Sequence, residues 1–270
     1  MADCRSGDIL TRILSALVLA PLFLGLAYLG GMPFRLLMTA LSLLGLNEFF
    51  AMHRAQGLPV QERMGYAWAA SLFGAEAAMG EHGLLMAVAV GPCFLILRYL
   101  QTPDIDGAIP VNARTVLGLV GFVLPMVFVV RIREFHALHG FGYAIGLLVL
   151  IWVQDSAAYF GGKAFGRHKF QPYLSPKKTW EGALIGMTVA MAATVPTMVA
   201  FGIQVTWMMV LGLLVVAAGA QLGDLNESLL KRNLGAKDSG TIIPGHGGIL
   251  DRFDSFTFAA PLMYCVVLHS

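Results

Sequence analysis

Charge is what this chain has least of. Only 13% of its 270 residues are Asp, Glu, Lys or Arg, while 57% are apolar. Mean hydropathy is +0.72, outside the range of ordinary soluble domains, so an extensive water-facing surface is excluded and no soluble domain is expected. Cysteine is scarce as well. Cys4, Cys93 and Cys265 lie far apart with no CxxC pair, which excludes a disulfide framework and a cysteine zinc site. A net charge of +2 gives no basis for a nucleic-acid partner, and none is expected. No internal repeat, low-complexity run or long linker interrupts the chain.

What the chain has instead is apolar stretches long enough to approach or span a hydrocarbon core of about 30 Å. They fall at roughly 9–31, 34–52, 66–80, 84–100, 115–131, 141–160, 183–202, 207–222 and 253–268. The reading is all-α, a polytopic membrane protein of about nine transmembrane helices. The link at Gly80 and Gly83 and the interruption at Glu76 make the third and fourth the least distinct. The first stretch follows Arg5 and Arg12 like a signal peptide, but it outruns a usual signal core of about 7–15 residues and reads as a retained helix.

Counting Lys and Arg in the links with the N-terminus cytoplasmic leaves only Arg35, Arg131 and Arg133 outside. That orientation puts Ser270 outside. Residues 1–140 read as a scaffold of transmembrane helices, open to contacts with a second copy in a homodimer. Residues 141–270 read as the catalytic transmembrane region. Small residues such as Gly182, Ala183, Gly186 and Ala190, and Ala217, Gly219 and Ala220, suit close helix packing in lipid.

Charge returns abruptly between Asp224 and Asp254, where Asp224, Glu227, Ser228, Lys231, Arg232, Lys237, Asp238, His246, Asp251, Arg252 and Asp254 accompany five glycines. Ionisable groups beside a hydrocarbon slab are costly and mark sites or pathways. This mixture suits a metal-bound polyphosphate. If the chain stays helical beyond Gly223, Asp224, Ser228 and Lys231 share one face. Mg²⁺ favours one or two carboxylates plus phosphate oxygens and water, which makes Asp224 a ligand and Ser228 a supporting one. Pro244-Gly245-His246-Gly247-Gly248 should be a loop whose backbone amides approach phosphate. Asp251 and Asp254 should share a face with Phe258 at the start of the last helix, where the dipole favours acids. Lys231, Arg232 and Lys237 would meet phosphate, and His246 would donate to it. Asp155, deep in the sixth stretch, needs a cation or a basic partner. Ser175-Pro176-Lys177-Lys178 is read as opening the seventh helix, with both lysines near an anionic lipid head. Glu48 and Glu76 read as structural.

The pattern Ser228-x-x-Lys231-Arg232, Lys237-Asp238-Ser239-Gly240, His246-Gly247-Gly248 and Asp251-Arg252-x-Asp254 resembles the C-terminal signature of the phosphatidate cytidylyltransferases, the CDP-diacylglycerol synthases. A second block agrees: Asp155-Ser156-Ala157-Ala158-Tyr159 with Gly162-Lys163, then Ser175-Pro176-Lys177-Lys178-Thr179-Trp180-Glu181-Gly182. The resemblance covers roughly residues 150–256. It implies cytidylyl transfer from CTP to phosphatidic acid at the cytoplasmic face of a bacterial-type cell membrane, with Mg²⁺ and room for a second cation. It implies further that Asp251 pairs with Asp224 as a metal ligand, with Asp254 nearby. The catalytic group would be Asp224, Asp251, Lys231 and Lys237. Arg232, His246, Gly247, Gly248 and Arg252 would hold the nucleotide, Ser175, Lys177 and Lys178 the lipid phosphate, and Asp155, Glu227 and Asp238 would support. Two rivals remain at this stage: another CTP-using membrane enzyme, such as an archaeal-lipid cytidylyltransferase or a polyprenol kinase, and an ion or metabolite transporter. The latter is disfavoured because the acids gather at one membrane face.

Overall fold

The apolar stretches fold as helices. The computed structural model of the chain describes residues 3–100, 105–245 and 247–270. In order these form α1 (Asp3–Leu29), α2 (Gly31–Ala55), α3 (Glu62–Tyr99), α4 (Ala108–Gly118), a π-helical turn (Leu119–Val123), α5 (Leu124–Glu134) and α6 (Gly140–Phe165). Two short strands follow, β1 (Lys169–Gln171) and β2 (Ser175–Thr179), then α7 (Trp180–Ala200), α8 (Trp207–Asn233), α9 (Leu250–Phe253) and α10 (Phe256–Leu268). Among the described residues six helices are long and apolar enough to cross a membrane: α2, α3, the continuous run Ala108–Glu134, α6, α7 and α8. This is an all-α polytopic membrane architecture with one small β-hairpin.

Among the described residues, the third and fourth apolar stretches share one element and the last stretch is divided. The third and fourth stretches are the two helical arms of α3, separated at Gly80 by non-helical backbone with φ 61° and ψ −135°. A β-carbon is strained there, so glycine permits the reversal. The arms run back along each other: Trp68 Nε1 donates to Ala87 O at 2.8 Å and Gln61 Nε2 to Leu95 O at 3.1 Å. Each arm of about 18 residues is about 27 Å long. The first stretch belongs to α1. The last stretch starts as the single turn α9, and α10 begins only at Phe256.

The other departure is at residues 175–178, read as a helix start. They form β2, antiparallel to β1, with Lys169 opposite Thr179 and Gln171 opposite Ser175. The residue before proline is pushed to extended backbone, and Pro176 has no amide to give a helix. Helix α7 starts after Thr179, whose hydroxyl accepts from Gly182 N at 3.2 Å as an N-cap.

The chain packs as two compact units. One comprises Met1–Leu26, Met32–Val127 and Leu234–Asp251, the other Ala27–Gly31, Phe128–Asn233 and Arg252–Ser270. In the first, Gly45 and Gly118 leave room for the rings of Phe122 and Phe49. Buried Glu76 is met by Arg35 at 3.4 Å, the structural role expected of it. In the second, α6 and α7 meet through the expected small residues. Gly182 lies against the backbone of Ala158 and Gly162, and Gly186 against Gln154 O and Ala158. Helix α10 packs on α8 in the same way, with Gly219 under Leu262 and Gly223 under the backbone of Asp254 and Ser255. Such close approach supplies the dispersion contacts that hold helices together where lipid offers no hydrophobic drive.

Candidate functional site

The charged residues of the two sequence blocks gather in two groups, one in each unit. In the second unit α8 continues unbroken to Asn233, so Asp224, Glu227, Ser228, Lys231 and Arg232 are all helical as expected. Asp224 forms an ion pair with Lys178. Lys231 pairs one turn back with Glu227, Nζ to Oε2 at 2.8 Å, and its charge also reaches Asp254. Asp155 on α6 is within electrostatic reach of Asp254, Asp224, Lys178 and Arg252. Three acids from three elements thus face a common set of bases.

Asp254 does not lie on the last helix with Asp251, contrary to the expected shared face with Phe258. Its Oδ1 accepts from the next amide, Ser255 N, at 2.6 Å, and its carbonyl accepts from Thr257 N at 3.2 Å. A short side chain that satisfies local backbone competes with helix, and the chain turns at 254–255 before α10.

The lysines of β2 part company. Lys177 is exposed, whereas Lys178 is half-buried and neutralises Asp224. Alternation along a strand sends neighbours to opposite faces, so two residues that read alike in sequence have different surroundings. Ser175 is half-buried at the start of the strand.

In the first unit the segment 234–251 is folded around two carboxylates. Asp251 Oδ2 accepts from Ser239 N at 3.0 Å, Ser239 Oγ at 3.0 Å and Gly248 N at 2.9 Å. Glu48, on α2 and only 3% exposed, accepts from Ile249 N and Leu250 N, each at 3.0 Å, and faces Ser239 Oγ at 3.1 Å. Gly245 and Gly247 carry φ of 75° and 89°, as a glycine loop should. Gly247 exchanges two backbone hydrogen bonds with Ile243, at 2.9 and 3.2 Å. The amides of Gly247, Gly248, Ile249 and Leu250 are therefore all donated inward, because buried N–H groups must find acceptors. Gly240 and Gly248 have no room for a β-carbon, since Glu48 lies against both. Lys237, Asp238 and Arg252 are exposed, and His246 lies outside the described residues.

Glu48 is the residue that sequence reading undervalued. Structural it is, but what it holds is the Ser239 hydroxyl and the amides of Ile249 and Leu250, 191 to 202 residues away. A lone carboxylate in an apolar stretch signals a need for partners; nothing in the sequence names them.

Among the described residues no group of three or more His, Cys, Asp or Glu side chains is set to hold a metal ion. The carboxylates of Asp224 and Asp254 lie within electrostatic reach of each other, and a hard divalent cation that takes two carboxylates plus phosphate oxygens suits such a pair. Asp251, expected as the partner of Asp224, falls in the other unit.

Comparison with known proteins agrees over nearly the whole chain. The profile of the Cytidylyltransferase family matches residues 10–269. A Bacillus subtilis (strain 168) protein named phosphatidate cytidylyltransferase is 35% identical over 264 residues, 95% of this chain and 97% of that protein. A protein of the same name from Brucella suis biovar 1 is 32% identical over 256 residues, 94% of this chain and 91% of its own length. One from Staphylococcus aureus (strain COL) is 42% identical over 133 residues, 48% of this chain and 51% of that protein. With likeness of this extent, and with acids and bases gathered where the motifs stand, the chain belongs to the Cytidylyltransferase family.

Proposed function

We propose that this protein transfers the cytidylyl group of CTP to phosphatidic acid, giving CDP-diacylglycerol and pyrophosphate. The observation that carries the reading is near full-length likeness to proteins named phosphatidate cytidylyltransferase. The chemistry of the second unit supports it. The lipid phosphate is already an anion at neutral pH and needs no strong base; it attacks the α-phosphorus of CTP in line and pyrophosphate leaves. Two polyanions must approach, so catalysis is mainly positioning and charge neutralisation. Lys231, Arg232, Lys237 and Arg252 steady the triphosphate and the leaving pyrophosphate. Lys178 holds the Asp224 carboxylate until substrate phosphate arrives, and Asp155 balances the surrounding bases. Glu227 orients Lys231, and Asp238 supports Lys237. A Mg²⁺ ion, held by Asp224 and Asp254 with Ser228 in support, would supply charge neutralisation on the phosphates. Purified protein incubated in detergent with labelled CTP and phosphatidic acid should yield a labelled lipid and pyrophosphate. Labelled phosphorylated polyprenol, or no product, would defeat the reading.

Lys178 and the metal compete for Asp224. Lys178→Met should therefore lower the half-saturating Mg²⁺ concentration by roughly fivefold, since a partly exposed ion pair is worth up to about 1 kcal/mol, while kcat falls. Lys177→Met should leave the Mg²⁺ dependence unchanged. Mg²⁺ titrations at saturating CTP and lipid measure both.

The finer topology that we propose is nine spans, with both blocks cytoplasmic and Ser270 on the opposite side. The Lys and Arg asymmetry supports it. With Cys4, Cys93 and Cys265 replaced by Ser, Thr241→Cys should react with an impermeant maleimide only in permeabilised cells, and Ser270→Cys in intact ones. Equal protection of the two positions would sink this topology.

A further inference from the structure

The connection between α6 and α7 is unlike any other in the chain. With the end of α6 that leads into it, residues 156–180, it carries Lys163, Arg167, Lys169, Lys177 and Lys178 and not one acidic residue, in a protein whose total net charge is only +2. Lys178 is neutralised by Asp224. The other four bases are exposed, and among them stand exposed aromatics: Phe165 at 66%, Tyr173 at 92% and Trp180 at 53%.

The hairpin that presents them is held firmly. An isolated pair of strands is marginal in water, but Glu181 latches this one to α7. Its carboxylate accepts from Arg167 N at 3.0 Å, His168 N at 3.2 Å and His168 Nδ1 at 2.6 Å. Trp180 N donates to His168 O at 2.9 Å, and the Phe170 and Trp180 rings meet edge to face at 4.4 Å. Tyr173 at the tip therefore projects from a fixed platform. The flanking helices are both long and apolar enough to cross a membrane, so the platform stands where a span meets the membrane surface. Amphipathic aromatics at headgroup level and bases facing acidic headgroups are what an interfacial element needs.

We propose that the β1–β2 hairpin is a docking surface for anionic lipid headgroups. Lys163, Arg167, Lys169 and Lys177 face the lipid phosphates and Tyr173 enters the interface. The strand thus has two tasks: Lys177 faces the membrane surface while Lys178 faces Asp224. The inference rests on the proposed reaction for its purpose, which is to concentrate an acidic lipid beside the site, but its main test needs no turnover.

Full-length protein with Cys4, Cys93 and Cys265 replaced by Ser carries an environment-sensitive fluorophore on Tyr173→Cys. It is placed in nanodiscs of phosphatidylcholine alone, or mixed with phosphatidylglycerol or with phosphatidic acid, each with a headgroup-level nitroxide quencher. Quenching should rise with either anionic lipid, fall again at high salt, and lose its lipid dependence in the fourfold variant Lys163→Gln, Arg167→Gln, Lys169→Gln, Lys177→Gln. Each charge removed should raise the apparent KM for phosphatidic acid roughly fivefold and leave that for CTP unchanged. Quenching independent of lipid charge, or unaltered by the fourfold variant, overturns the proposal. A rise with phosphatidic acid alone also overturns it, in favour of a headgroup-specific pocket. If the quenching behaves as expected and no lipid is cytidylylated, the surface stands and the proposed reaction fails.

Discussion

Asp224→Asn and Asp251→Asn should each lower kcat by at least about 10³-fold, roughly 4 kcal/mol of barrier, the first because it removes a carboxylate that we propose neutralises charge on the phosphates. Asp224→Asn also leaves Lys178 without its counter-charge. Asp251→Asn acts differently. Oδ2 accepts from Ser239 N, Ser239 Oγ and Gly248 N, and a carboxamide can turn only its one oxygen to those donors. Steady-state rates at saturating Mg²⁺, with thermal unfolding alongside, check this. Near-normal turnover by either single variant would remove that residue from the chemistry.

Glu48→Leu should be almost as damaging, although Glu48 appears in neither sequence block. The substitution leaves the amides of Ile249 and Leu250 buried without acceptors and the Ser239 hydroxyl one carboxylate short. An orphaned buried donor costs about 1–3 kcal/mol, and hydrogen bonds to a charged group lie at the upper end. The loop will rearrange rather than bear that cost, carrying Lys237 and Asp251 out of register. The expected result is a loss of at least about 100-fold in kcat/KM for CTP, about 2.7 kcal/mol at 1.36 kcal/mol per decade. Glu48→Gln, which keeps shape and one acceptor oxygen, should fall between Leu and the parent. Amide exchange at Ile249 and Leu250 gives a readout free of activity: slow in the parent, fast in Glu48→Leu. Slow exchange in both proteins would mean that Glu48 does not hold the loop.

These two predictions separate what was legible in the sequence from what was not. The charges at Asp224, Lys231, Asp251 and Asp254 announce themselves against an apolar background, and their motif spacing is local, so one strand of text carries it. Helical continuation through Lys231 was readable for the same reason: nothing between Gly223 and Arg232 breaks a helix. Partners distant in sequence were not readable. The pairing of Lys178 with Asp224, and that of Glu48 with Ile249 and Leu250, depend on tertiary packing that leaves no periodic trace. Ser175–Thr179 misled because a proline before a helix is compatible with a strand as well as with a helix start, and pairing with Lys169–Gln171 decided between them. The hidden division at Asp254 has a similar origin. A side chain bonding to its own neighbouring amide ends a helix that composition alone would have extended.

The segment 234–251 packs with the first unit although most of the motif-bearing chain on either side of it belongs to the second. A fragment cut to begin at residue 141 would therefore keep every letter of both sequence blocks and lose the carboxylate that shapes one of them. Supplied separately, residues 1–140 would bring Glu48 back. Divided at its midpoint, the chain should be inactive until the halves find each other again, so an activity recovered by co-producing the two pieces would report their reassembly.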